Sequence, residues 1–254
     1  MLKEDRQKQI IDILWTKGRV EVEELCQMFT VTKMTIRRDL DELETEGLLI
    51  RSHGGALITE KDILVENPFH FRLSINTERK LAIAAGAVNL LYDGQKIFIG
   101  SGTTTHYLSQ KIDNSRRLII VTDAINIASE LTTRSSISVI QVGGDIRPIT
   151  CSATGVFAEN MIRQFKFQNA FISVTGIGED GQIYVGSIVQ LSIYQAIFDS
   201  AGIIIILADT SKLGIEDFVC LGRLSEKYTL ITNNDAPDFI LESYRSLGTN
   251  IITV

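Results

Sequence analysis

The sequence predicts two domains of different class: a small α+β domain at the N-terminus, followed by a larger α/β domain on a mostly parallel sheet. Three observations lead there. The 254 residues exceed what one core usually fills. Near residues 59–78 the chain changes from helix-rich and heavily charged to short β-branched runs alternating with helical stretches. That alternation, carried through to the C-terminus, is the pattern of a parallel sheet covered by helices on both faces. The boundaries read as 1–58, a linker at 59–77 that is polar and contains Pro68, and 78–254.

In the first domain, residues Lys3 to Thr16 predict an amphipathic helix with Ile10, Ile11 and Leu14 on its inner face. Val20 and Val22 suit a short extended piece, and Glu23 to Phe29 a second helix. A third helix starts at Thr32, a good N-cap, with Val31 and Ile36 at the spacing of a hydrophobic staple. Ile36, Leu40 and Leu43 mark its buried stripe, so Met34 and Arg38 face away from the core and Arg37 lies at the edge.

The charge order of this third helix is inverted. Helices gain about 0.3–1 kcal/mol from each acid in the first turn or base in the last. Here Lys33, Arg37 and Arg38 crowd the start, while Asp39, Asp41, Glu42, Glu44 and Glu46 fill the later turns. A phosphate backbone docked at that N-terminus reverses the sign of the penalty. Gly47 ends the helix, and Leu48 to Ile58 reads as a hairpin turning at Gly54-Gly55 that carries Arg51 and His53 and no acid. Two helices about a tight turn and then a hairpin make a winged helix-turn-helix. His53 has two readings of equal standing, a hydrogen-bonded turn residue or a phosphate contact.

Candidate strands of the second domain are Lys96–Ile99, Leu118–Val121, Ser138–Val142, Asn169–Ser173, Ile203–Leu207, Tyr228–Thr232 and Asn250–Thr253. Helical stretches between them are Thr104–Lys111, Asn126–Leu131, Phe157–Phe165, Ser187–Asp199 and Pro237–Leu247. In such sheets ligands sit at the carboxyl ends of strands. After the first strand come Gly100-Ser101-Gly102-Thr103-Thr104-Thr105 and a helix, a recipe for holding phosphate on free N–H groups and hydroxyls. A threonine-rich cap on an ordinary turn accounts for the same residues. At other strand ends, Asp123 and Asp209 suit sugar hydroxyls and Lys212 suits a phosphate, each with helix capping or surface charge as the alternative.

Composition narrows the classes. Apolar residues make up 44% of the chain, prolines number three, and charges of both signs are mixed, which excludes disorder. Cys26, Cys151 and Cys220 are odd in number and far apart, arguing against disulfides and zinc. The N-terminus is unlike a signal peptide, and the longest apolar run, Ala201 to Ala208, is too short to cross a bilayer. A cytoplasmic protein is expected. Bulk charge gives nucleic acid no support: the net is −6, and residues 1–61 hold ten Lys/Arg against twelve Asp/Glu. Only the placement of the bases speaks for it.

Thr35-Ile36-Arg37-Arg38-Asp39-Leu40, followed by Leu43, Gly47, Leu49, Arg51 and His53-Gly54-Gly55-Ala56, resembles the signature of the DeoR family of bacterial repressors. The likeness includes Gly18, Val20, Glu24-Leu25 and Phe29, with Thr32 where the family usually has serine. It implies that Lys33, Met34, Thr35, Arg37 and Arg38 meet the major groove and that Arg51 and His53 touch the DNA backbone, with Thr32 and Gly54 as further candidate DNA-binding residues. Pro68-Phe69, Arg72, Asn76, Lys80, Asp93-Gly94, Ser101 to Thr105, Gly143-Gly144, Gly155 and Asp209 to Lys212 resemble the family's sensor domain, similar to the Rossmann-like fold of ribose-5-phosphate isomerase. Ser101, Gly102, Thr103, Thr104, Thr105, Asp123, Asp209 and Lys212 are the candidate effector contacts. Gly100, Ser173 to Gly176, Gln190, Ser192 and Tyr194 depart from the family pattern.

The resemblance implies a transcriptional repressor of a carbohydrate-utilisation operon, released or modulated by a small phosphorylated sugar. Its partners are then double-stranded operator DNA and further copies of itself, since one winged helix covers only a half-site and dimers or tetramers suit the task. No cofactor, metal site, catalytic residue or membrane contact is expected. Two alternatives remain: a sugar-phosphate isomerase-like enzyme, and a regulator whose sensor no longer binds ligand.

Overall fold

Helix and strand lengths follow the hydrophobic periods closely in both parts of the chain. The computed structural model describes residues 2–17, 19–45, 48–52, 54–57 and 69–254, which form two compact units dividing between Ile75 and Asn76.

The first unit runs α1 (Lys3–Lys17), β1 (Arg19–Glu21), α2 (Val22–Phe29), α3 (Lys33–Thr45), β2 (Ile50–Arg51), β3 (Gly55–Leu57) and α4 (Phe69–Ser74). Ile10, Leu14, Leu25, Ile36 and Leu40 are fully buried between the three longer helices, with Val20, Leu49 and Ala56 closing the core from the sheet side. The strands form an antiparallel sheet in the order β1-β3-β2. Gly55 is the first residue of β3, opposite Glu21, instead of a turn residue as the Gly-Gly pair suggested. The reason is close approach: a Cβ at Gly55 would lie 1.8 Å from the Val20 carbonyl oxygen. Within the stretch read as a linker, α4 buries Phe71 in this same core.

The second unit begins with α5 (Thr77–Val88) and contains β4 (Lys96–Ile99), α6 (Thr103–Lys111), β5 (Leu118–Thr122), α7 (Ile125–Leu131) and β6 (Ile137–Gln141). A hairpin follows, β7 (Asp145–Arg147) and β8 (Ser152–Thr154), then α8 (Val156–Arg163) and β9 (Phe167–Ile172). Next come β10 (Gly176–Ile177), β11 (Gln182–Val185), α9 (Ile188–Ser200), β12 (Ala201–Leu207), a 3₁₀ turn (Thr210–Lys212) and β13 (Val219–Arg223). The chain ends with β14 (Tyr228–Thr232), α10 (Asp238–Ser246) and β15 (Asn250–Thr253).

All seven strands expected from the sequence join one parallel sheet, ordered β15-β14-β12-β9-β4-β5-β6. Both faces are covered, so β12 is apolar at consecutive positions: Ile204 and Ile206 pack with α8, α9 and α10, while Ile205 and Leu207 pack with α5, α6 and α7. From β4 the chain steps outward to β5 and β6, then returns to place β9 on the other side of β4. The order therefore reverses between β4 and β9, which opens a crevice at their carboxyl ends. The short strands β7, β8, β10, β11 and β13 lie outside this sheet and have no long apolar run to announce them.

Candidate DNA-reading face and ligand crevice

In the first unit, the N-terminus of α3 carries the functional candidates. The Thr32 hydroxyl accepts from the Thr35 amide at 3.2 Å and lies 2.9 Å from the Thr35 hydroxyl, satisfying an otherwise orphan N–H. Lys33, Met34, Arg37 and Arg38 are exposed, and Met34 is 79% accessible although apolar. Lys33 forms an ion pair with Glu23 of α2, which holds that carboxyl below its ordinary range. Arg38 lies 3.6 Å from Glu42 one turn along.

Asp39, read from sequence as one of the later acids, has a different place. It is 2% exposed and accepts two bonds from Arg6 of α1, at 2.6 and 3.0 Å. This bidentate pair fixes α3 against α1, and its partner lies 33 residues away in sequence, beyond any local pattern. Arg51 is also engaged: its guanidinium donates to Asp41 at 2.9 Å and to the Gly55 carbonyl at 2.8 Å, while its amide donates to Glu44 at 2.9 Å. It braces the wing to α3. Gly54 is exposed and its carbonyl accepts from the Val22 amide at 2.8 Å. His53 lies outside the described residues.

In the second unit, the adjacent strands β12, β9, β4 and β5 bring Asp209, Ser173, Ser101 to Thr105 and Asp123 to one sheet edge. The helical ladder of α6 begins with the His106 amide donating to the Gly102 carbonyl at 3.0 Å, so the Thr103, Thr104 and Thr105 amides precede it. Those threonines are buried, and no side chain caps the helix at Gly102. Gly102 is required by close approach: a Cβ there would sit 2.6 Å from both Cβ and Oγ of Ser173. The Ser173 Oγ is buried and has no hydrogen-bond partner among the described residues.

Asp123 is 3% exposed and accepts from the Ser101 amide at 2.8 Å. Burial dominates its chemistry and pushes its carboxyl up to about 6, against the Ser101 bond that favours ionisation. Asp209 is spent locally: it accepts from the Ser211 amide at 3.0 Å and from Asn76 at 3.2 Å, capping the 3₁₀ turn that carries half-buried Lys212. Asn76, placed only in the family likeness by the sequence, reaches Asp209 from a left-handed backbone conformation.

Two positions that depart from the family pattern also meet here. The Tyr194 hydroxyl donates to the Ser173 carbonyl at 2.6 Å, and Gln190, one turn earlier on α9, is buried with an unpartnered Oε1. Gln141 donates to the Asp123 carbonyl at 3.2 Å. Among the described residues no group of three or more His, Cys, Asp or Glu side chains is placed to hold a metal ion. Likewise, none of their helices is long and apolar enough to cross a membrane.

Comparison with known proteins decides the family. The DeoR-like helix-turn-helix domain matches residues 6–62, and the DeoR C terminal sensor domain matches residues 75–234. The chain belongs to the DeoR family. This DeoR-family regulator is 29% identical over 242 residues to the glycerol-3-phosphate regulon repressor of Escherichia coli (strain K12), covering 95% of each chain. It is 30% identical over 251 residues to the lactose phosphotransferase system repressor of Lactococcus lactis subsp. lactis, covering 98% of each. Among solved structures it matches ribose 5-phosphate isomerase A of Methanocaldococcus jannaschii over 54% of this chain and 55% of that one, at 17% identity and a TM-score of 0.41. A likeness that distant carries no reaction with it.

Proposed function

We propose that this DeoR-family regulator represses an operon for carbohydrate use and leaves its operator when a small phosphorylated sugar occupies the crevice beside α6. The observation that carries the reading is the exposed cluster Lys33, Arg37 and Arg38 at the N-terminus of α3, set against the helix dipole. A polyanion docked there gives these three exposed cations a counter-charge and offsets the dipole penalty of Lys33 in the first turn. In this reading Thr32, Lys33, Met34, Thr35, Arg37 and Arg38 face the major groove, His53 and Gly54 lie beside the backbone, and Arg51 positions the wing through Asp41 and Gly55. The relatives named above, repressors of a glycerol-3-phosphate regulon and a lactose phosphotransferase system, support the class of genes.

For the effector, the uncapped amides of Thr103 to Thr105, with Ser101 and Gly102, take the phosphate, and Lys212 supplies a cation. Asp123 stands ready for a sugar hydroxyl, whereas Asp209 acts chiefly as a cap. The protein works in the cytoplasm as a homo-oligomer and is no enzyme. Ser173 and Gln190, with buried neutral side-chain oxygens, offer no carboxylate base of the kind aldose–ketose isomerisation needs.

The test is a gel-shift titration of the purified protein on duplex DNA from upstream of its own and neighbouring genes, against random duplex. Selective, salt-dependent binding is expected, weakened by one member of a panel of sugar phosphates. The same compound at 100 times its Kd is expected to stabilise the protein by about 2.7 kcal/mol in a thermal melt. Equal affinity for random DNA overturns the regulatory reading. Turnover of a pentose or hexose phosphate overturns the non-catalytic one.

A further inference from the structure

Five apolar side chains of the second unit are exposed in one neighbourhood. Val156 and Phe157 open α8, Ile188 and Val189 open α9, and Phe218 precedes β13. Phe157 is 81% and Phe218 80% accessible, extreme values for large aromatic rings in a folded chain. Their proximity is set by the fold. Arg163 at the end of α8 pairs with Asp199 at the end of α9, so the two helices run side by side with their N-termini in the same direction. Val219 pairs with Val185 in the β11–β13 ladder, and a Cβ at Gly186 would meet the Asp217 carboxylate at 3.4 Å, which places Phe218 beside the start of α9.

We propose that this face is where a second copy of the same chain docks, an inference that rests on the homo-oligomer reading above. Area is the first argument. Side chains of this size and exposure present on the order of 600 Å² of apolar surface, at the top of the range for the largest patch on a typical monomer. A stable interface needs about 800 Å² per partner, so these five side chains supply most of one. Charge is the second. The chain carries a net −6, so two copies meet with least repulsion where exposed charge is sparse. From Ile188 to Phe198, α9 contains no charged residue, and the exposed acids Glu216 and Asp217 precede Phe218. The turn carrying Ile188 and Val189 outward carries Gln190 inward with its free Oε1, so this face backs directly onto the buried side of α9.

Sedimentation equilibrium of the full chain at about 10 µM tests this with Phe157→Asp and Phe218→Asp. Both rings are already in water in the single chain, so each change is expected to leave the circular dichroism spectrum unaltered. The unmodified protein is expected at the mass of a dimer or tetramer, and each variant at half that mass. Phe157→Leu should keep the full mass. On a duplex carrying two half-sites the Asp variants are expected to bind about 100-fold more weakly, while binding to a single half-site stays the same. Variants that keep the wild-type mass overturn this interface and leave the homo-oligomer reading standing. A wild-type protein that is monomeric at this concentration overturns both.

Discussion

In the function proposed above, the N-termini of α3 and α6 receive the same kind of guest, an anion, in opposite ways. At α3 the cations are on the outside: Lys33, Arg37 and Arg38 are exposed, and the capping oxygen of Thr32 fills one orphan amide. At α6 the first turn is three buried threonines, no side chain caps the helix, and no base lies in the turn. A polymer can only be met on a surface, where charge must survive screening by water and salt. A small anion can be enclosed, where a few oriented N–H groups suffice in a low dielectric. Each helix is also positioned by a buried aspartate, and these differ in the same sense. Asp39 has Arg6 as a bidentate partner, whereas Asp123 has the Ser101 amide and is pushed up to about 6 by burial.

The largest test of this contrast removes the paired aspartate. Asp39→Ala leaves Arg6 buried without its counter-charge and is expected to destabilise the first unit by about 3–5 kcal/mol. A lowered first melting transition would show it. A variant that melts like the wild type would break the claim that the pair anchors α3.

Reversing Arg37 and Arg38 together to Glu should weaken operator binding about 100-fold or more. The slope of log affinity against log salt should become shallower by about 0.9 for each phosphate no longer neutralised. Unaltered operator affinity would remove the polyanion account of α3.

Asp123 gives a smaller effect with a definite sign. Its carboxyl is raised in the folded protein, so its contribution is complete below about pH 4 and fades as pH rises through about 6. Asp123→Asn should therefore stabilise the second unit at pH 7 by up to about 3 kcal/mol and flatten its stability between pH 4 and 7. Chemical denaturation across that range measures both. Smallest is Thr32→Ala, expected to cost about 1 kcal/mol of first-unit stability by removing the cap, read as a small drop in denaturation midpoint.

Much of the architecture was legible because its signals are local. The central sheet strands announce themselves as short apolar runs, since a strand covered on both faces has no polar side to show, and Ile204 to Leu207 is the plainest case. The cap at Thr32 and the stripe of Ile36, Leu40 and Leu43 are equally local. Less legible were groups whose meaning depends on a distant partner. Asp39 reads along the chain as a solvated acid, yet Arg6 of α1 holds it in the core. Arg51 reads as free for phosphate, yet Asp41 and the Gly55 carbonyl take its guanidinium. Gly55 reads as a turn residue, but the approach of Val20 puts it in a strand.

By itself the sequence determined the class of each domain, the order of helices and strands, and the helix end at which positive charge collects, because these depend on period and spacing along one stretch of chain. Tertiary structure decided which charges are spent and which stay open to a ligand. It paired Asp39, braced Arg51, turned Asp209 into a cap, pressed Gly102 against Ser173 and left Phe157 and Phe218 in water. Burial and pairing belong to atoms brought together from distant parts of the chain, and only the folded chain sets those distances.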